Sequence, residues 1–384
     1  MSNPFSLDSI VRPNILKLKP YVCARDDYTS GILLDANENS FGTILQNEKL
    51  LTEELNLNRY PDPNQVLIKK RLVSFRGLPS IDYFFLGVGS DEIIDLIIRI
   101  FCVPGKDKIL ITPPTYGMYS VCANINDVGI VNVNLDVEDG KFQLKTEEIS
   151  KGLKENPTVK IIFLCSPGNP TGTILSKEDI KTILNDSCFN GIVVVDEAYI
   201  DFVEEKKEAS VAKWVEQYPN LIVMQTLSKS FGLAGVRLGI GISDPKIIRL
   251  MNNTKAPYNI NSLTSEIVFK ALSPENIERM KTICQQIRAE QIKLMSSISH
   301  LSGIGKFLGG NDANFILVQI LNKKGEKPSN EGAYSVYKNL AEKLGIVVRF
   351  RGNEFGCEGC LRITVGTSQE NKTLKEKLRI ALEQ

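Results

Sequence analysis

From about residue 65 onward the chain alternates short apolar runs with longer stretches in which polar residues recur at helical spacing. Runs at 83–86, 108–111, 160–165, 192–195, 221–224 and 237–242 predict strands, and stretches such as 91–101 and 176–185 predict helices. Alternation of this kind predicts an α/β fold, a mostly parallel sheet with helices on both faces. After about residue 265 the texture changes. A long helix over 274–299 leads to a strand at 314–318, a helix at 331–343, strands at 346–350 and 361–365, and a last helix at 370–382. That succession predicts a smaller α+β domain. Residues 1–33, broken by prolines, read as an N-terminal arm, so the division expected is arm 1–33, large domain 34–265 and small domain 266–384.

In parallel sheets ligands sit beyond the carboxyl ends of the strands, so the residues just after each apolar run carry the functional expectation. After 83–86 comes Gly87-Val88-Gly89-Ser90-Asp91-Glu92, opening a helix. Glycines allow close approach, and free N–H groups at a helix start hold phosphate, although an ordinary capped helix would look the same. After 108–111 comes Thr112-Pro113-Pro114-Thr115-Tyr116, which fixes an aromatic for stacking or for packing. After 160–165 comes Ser166-Pro167-Gly168-Asn169-Pro170-Thr171-Gly172, a rigid turn presenting one amide. After 192–195 comes Asp196-Glu197-Ala198-Tyr199. A carboxylate there is costly to bury unless compensated, with a helix cap as the plain alternative. After 221–224, in the stretch holding Thr226, comes Leu227-Ser228-Lys229-Ser230-Phe231-Gly232, with Arg237 eight positions beyond the lysine.

Composition narrows the chemistry. A formal net charge of +1 over 384 residues argues against nucleic-acid binding, which needs a basic excess. No run approaches the ~18 apolar residues of a membrane helix, and 1–8 lacks the pattern of a secretory signal, so a cytoplasmic protein is expected. Eight scattered cysteines read as reduced thiols, and the lone Cys357-Glu358-Gly359-Cys360 pair reads as two thiols beside a strand, with no metal site. The single histidine, His300, has no nucleophile near it in sequence, which assigns proton transfers to lysine, tyrosine or a carboxylate.

Taken together, the strand ends suit a planar cationic ring carrying a phosphate and an aldehyde: pyridoxal 5′-phosphate. Lys229 would bond covalently to the aldehyde and Asp196 would pair with the ring nitrogen. Tyr116 would stack, and Asn169 and Tyr199 would hydrogen-bond the ring hydroxyl. The Ser90 helix end, Ser228 and Arg237 would hold the phosphate, and Asp91, Glu92 and Thr226 are also expected to bind the cofactor.

The motifs Ser166–Gly172, Asp196–Tyr199 and Ser228–Arg237 resemble those of the fold-type I aminotransferases that use pyridoxal phosphate. Leu18-Lys-Pro-Tyr21 with Ala24-Arg25, Leu34–Asn39, Arg59-Tyr-Pro-Asp62, Gly87–Glu92 and Cys360–Gly366 narrow the resemblance to the histidinol-phosphate aminotransferases. Ser40-Phe41-Gly42-Thr43 departs from the proline-containing turn usual after Asn39. The resemblance covers nearly the whole chain. It implies reversible amino transfer between glutamate and imidazole-acetol phosphate, giving L-histidinol phosphate and 2-oxoglutarate in histidine biosynthesis. It also implies a homodimer in which Tyr60 reaches the neighbouring subunit's cofactor phosphate and Tyr258 adds to the neighbour's site. Arg362, with Arg349, would take the substrate's carboxylate or phosphate, with Tyr21 and Asn37 bordering the pocket. Lys229 would also move the proton between substrate and cofactor. An aromatic-amino-acid aminotransferase or a phosphoamino-acid decarboxylase would share Lys229 and Asp196. A nucleotide-binding oxidoreductase would need a G-x-G-x-x-G spacing that the chain lacks, and a catalytically dead scaffold would not need the lysine, aspartate and arginine set.

Overall fold

The computed structural model describes residues 24, 27–28, 30–45, 57–204, 207–322 and 325–383. Thirteen strands among these residues form three sheets. They are β1 Ile32–Leu33, β2 Phe84–Val88, β3 Lys108–Ile111, β4 Gly129–Asn132, β5 Val159–Cys165, β6 Ile192–Asp196, β7 Leu221–Thr226, β8 Leu238–Ser243, β9 Ile304–Leu308, β10 Phe315–Ile320, β11 Ile346–Val347, β12 Arg349–Phe350 and β13 Cys360–Thr364. The helices are α1 Val66–Arg76, α2 Gly89–Phe101, α3 Met118–Ile125, α4 Thr146–Glu155, α5 Lys177–Leu184, α6 Pro245–Thr254, α7 Ser262–Ala271, α8 Pro274–Ile298, α9 Asn330–Lys338 and α10 Ser368–Glu383.

Seven strands build the large sheet in the order β2-β8-β7-β6-β5-β3-β4. The pairs β3–β4, β3–β5, β5–β6 and β6–β7 are parallel, and β8 alone runs against both of its neighbours. The central strands are mostly apolar because both faces are covered. Alternate residues serve two separate cores. Leu110, Ile162, Leu164, Val193, Val195 and Val223 face one, while Ile109, Ile161, Phe163, Val194, Ile222 and Met224 face the other. Every parallel strand therefore ends at the same edge of the sheet.

The second sheet, β12-β13-β10-β9, is antiparallel. Leu361 and Ile363 of β13 join Ile316, Val318 and Ile320 of β10 in a third core under α8, α9 and α10. That alternation turns Cys360, Arg362 and Thr364 to the opposite face. The short β1 pairs in parallel with β11 (Ile32↔Ile346), so the end of the expected arm is stitched to the later part of the chain. The helix expected over 331–343 is α-helical to Lys338 and closes with a π turn over Asn339–Lys343, and the strand expected at 346–350 is split at Val348.

Candidate active site

The strand ends of the large sheet and the polar face of β13 enclose a cavity of about 280 Å³. Lys229 follows β7 and points its Nζ into it, donating 2.9 Å to the Ala36 carbonyl. Burial, then the Arg362 charge, lowers its ammonium to a pKa of about 8, so a useful fraction is the free amine near neutral pH. The turn carrying it is tightly packed. Ser230 Oγ donates 2.7 Å to Asp201, which receives Arg76 at 2.8 Å, and Asn39 Nδ2 donates 3.2 Å to the Ser230 carbonyl. Gly232 has φ +64, and a β-carbon there would lie 2.2 Å from the Gly42 carbonyl oxygen. The segment Ser40-Phe41-Gly42-Thr43 thus lies directly against the lysine turn.

Asp196 closes β6 and is buried. Its Oδ2 accepts 2.7 Å from Tyr119 Oη and its Oδ1 accepts 3.1 Å from Ala198 N. Burial raises its pKa to about 6 against these two donors. At the far side of the sheet the β2–α2 turn supplies Ser90 and Asp91. Gly89 there has φ +72, and a β-carbon on it would lie 2.5 Å from Arg237 Nη2. A β-carbon on Gly239 would lie 2.4 Å from the Gly89 carbonyl, so only glycine allows β8 and this turn to approach so closely. Asp91 accepts from Tyr116 Oη (3.2 Å) and from Arg237 Nη2 (3.3 Å), tying a ring and a guanidinium to the same helix start. Thr226 Oγ1 lies 2.9 Å from Ser228 Oγ and accepts 3.1 Å from Ser228 N.

The opposite wall is basic. Arg362 is buried, donating 2.6 Å to Asn169 Oδ1 and also to the Asp35 carbonyl. Both acceptors are neutral, and its buried Nε has no partner. Burial, reinforced by Arg351, lowers its pKa to about 9. Arg349 lies opposite Arg362 across the β12–β13 ladder, and Arg351 completes the wall with Nη1 on Glu354 at 2.6 Å. Asn37, at φ +54, donates 3.0 Å to Tyr199 Oη, and its own N–H is held 3.0 Å from Thr364 Oγ1.

The aminotransferase class I and II family model matches residues 29–378. The chain is 47% identical to the histidinol-phosphate aminotransferase of Schizosaccharomyces pombe, over 99% of this chain and 98% of that one. It is 48% identical to that of Saccharomyces cerevisiae, over 96% of each. The chain belongs to the histidinol-phosphate aminotransferase family. Among solved structures, the histidinol-phosphate aminotransferase of Clostridium acetobutylicum superposes with a TM-score of 0.78 at 25% identity, over 92% of this chain and 99% of that one. That of Sinorhizobium meliloti, in complex with pyridoxal-5′-phosphate, superposes with a TM-score of 0.82 at 20% identity, over 98% of each, and shares the fold.

The residues present fit the family's cofactor. Ser90 Oγ is buried at the start of α2 with no hydrogen-bond partner, which is the arrangement a bound phosphate would satisfy. Lys229, Ser90, Asp91, Tyr116, Asn169, Asp196, Tyr199, Thr226, Ser228, Arg237, Arg349, Arg362 and Asn37 all line the one cavity. Glu92, expected with Ser90, does not. Its carboxylate accepts from Val88 N and, at 3.1 Å, from Asn259 Nδ2, closing the turn from behind. Tyr60 and Tyr258 lie outside the cavity as an exposed stacked pair, ring centres 4.5 Å apart. Tyr21 falls outside the described residues.

Sequence reasoning passed over Tyr119 and Arg351. Each repeats a chosen residue at the local period: Tyr119 three after Tyr116 on a helix start, Arg351 two after Arg349 on an extended segment. Cys357 and Cys360 are both buried, and the mutual hydrogen bond and burial push the Cys357 thiol upward. No metal-binding cluster occurs among the described residues.

Proposed function

We propose that the chain transfers an amino group reversibly between glutamate and imidazole-acetol phosphate, giving L-histidinol phosphate and 2-oxoglutarate, with pyridoxal phosphate on Lys229. The observation that carries this is the pairing of two walls around one lysine. One holds a buried carboxylate and an unsatisfied serine at a helix start, and the other holds three arginines. Bound there, pyridoxal phosphate supplies an electrophilic carbon and an electron sink.

The protein's own residues do the rest. Lys229 would anchor the cofactor, and its amine would be the base for the proton on the substrate's α-carbon. Asp196, as the anion, would accept a hydrogen bond from the protonated ring nitrogen. Tyr199 and Asn169 address the ring hydroxyl, Tyr116 the ring face, and Ser90, Thr226, Ser228 and Arg237 the phosphate. Arg362 meets the oxyanion of either substrate, because a planar guanidinium fork fits carboxylate and phosphate alike, and Arg349 assists with the phosphate.

The exposed, stacked Tyr60–Tyr258 pair supports a homodimer in which this pair meets the second subunit's site. No helix among the described residues is long and apolar enough to cross a membrane, and the described cysteines are free, which supports a reducing cytoplasmic setting. The arm at 1–33 and the division near residue 265 belong to the same reading. Borohydride reduction of the cofactor-loaded protein, followed by peptide mapping, should place the cofactor's mass on the peptide containing Lys229. A label on another lysine, or none, contradicts the assignment.

A further inference from the structure

Asp196 meets the cavity from a setting with little positive charge of its own. The groups facing it are Tyr119 from α3, Cys165 from β5, Asp91 from α2 and Tyr199 just beyond β6, all of them acids. Lys229, Arg237, Arg349, Arg351 and Arg362 line the same cavity. A buried carboxylate so placed depends on hydrogen bonds to remain charged. Two are present: the Ala198 N–H, fixed by the backbone, and the Tyr119 hydroxyl at 2.7 Å, the shorter of the two.

Tyr119 is fully enclosed. Its ring stacks on Phe163 at 4.6 Å and 12°, and it meets Tyr116 edge-to-face at 5.6 Å and 88°. One residue therefore joins the aromatic assigned to the ring face and the carboxylate assigned to the ring nitrogen. We propose that Tyr119 is a positioning residue that keeps Asp196 charged and aimed at the cofactor's ring nitrogen. The proposal rests on reading the cavity as the pyridoxal phosphate site.

Removing the hydroxyl takes a donor from the charged form of Asp196 and raises its pKa above about 6, so the carboxylate neutralises at higher pH. Tyr119→Phe keeps the ring and its stacking. The measurement is the affinity of the cofactor-free protein for pyridoxal phosphate as a function of pH, read by absorbance, together with the ¹⁵N shift of ring-labelled cofactor. The expected result is an affinity about tenfold weaker near neutral pH, an acid limb moved up by about one pH unit, and a ¹⁵N shift toward the unprotonated ring. A second variant carries 3-fluorotyrosine at position 119. Its more acidic hydroxyl is a stronger donor, so the limb should move down, a reversal that a purely packing role would not produce. An unmoved limb and ¹⁵N shift in either folded variant overturn the proposal while the cofactor assignment stands. Wild-type protein that takes up no cofactor overturns both.

Discussion

The two walls of the cavity are built on different principles. The cofactor wall is a row of strand ends from one sheet, each a few residues from the last buried apolar side chain, so its groups are set by short, rigid connections. The substrate wall is assembled from distant pieces: Asn37 beside β1, and the arginines of β12, β13 and the segment after β12. The charges are held differently too. Asp196 is held by a hydroxyl and a backbone N–H, whereas Arg362 is held by a carbonyl and an amide and retains a buried, unpartnered Nε. Neutral partners leave the guanidinium's charge available to an arriving oxyanion, which a buried carboxylate partner would have neutralised. The cofactor wall is made to keep what it binds, and the substrate wall is made to exchange it.

Breaking the cofactor wall should cost the most. Lys229→Ala removes the anchor and the proton carrier together, and amino transfer should fall by at least about 10⁴-fold in a coupled assay. Retained activity would show that Lys229 is not the anchor. Breaking the substrate wall should cost less but affect both half-reactions. Arg362→Lys loses the fork, and kcat/KM should fall about 10- to 100-fold for glutamate and for histidinol phosphate alike. A loss confined to one of them would separate the two oxyanion sites.

The comparison also predicts a pH signature in the cofactor-free protein. Asp196 is raised from 3.8 to about 6, so the folded state holds its proton more tightly than the unfolded one. Stability is therefore lost as pH rises through that window, by about 3 kcal/mol. Asp196→Asn should melt higher than wild type at pH 8, and the gap should close by pH 4. A gap independent of pH would place the cost elsewhere. The smallest effect belongs to the brace behind the lysine turn. Ser230→Ala removes the hydroxyl bonded to Asp201 and should destabilise the protein by about 1 kcal/mol in denaturant unfolding, with Lys229 chemistry altered only slightly.

The same contrast explains what could be read in the sequence. Each central strand of the large sheet contains an apolar run of four or more residues, so β5, β6 and β7 and the residues after them stand out locally. What stayed hidden is relational. Nothing local marks β8 as the strand that runs backwards, and α4 and the half-exposed edge strand β4 have no long apolar run. Glu92 sits in a phosphate-binding pattern, yet its side chain turns back to the Val88 N–H, which only the fold of the turn decides. Arg362 is visible as a lone charge in an apolar strand, but its acceptors lie 193 and 327 residues away. Tyr119 carries only its helical spacing from Tyr116 as a cue, and the carboxylate it serves lies 77 residues away.

Transfer of label from ¹⁵N-glutamate tests the central claim most directly. Purified protein loaded with pyridoxal phosphate and given imidazole-acetol phosphate should yield histidinol phosphate one mass unit heavier, with an equal amount of 2-oxoglutarate. Label appearing only in products of aromatic keto acids, with none in histidinol phosphate, would contradict it.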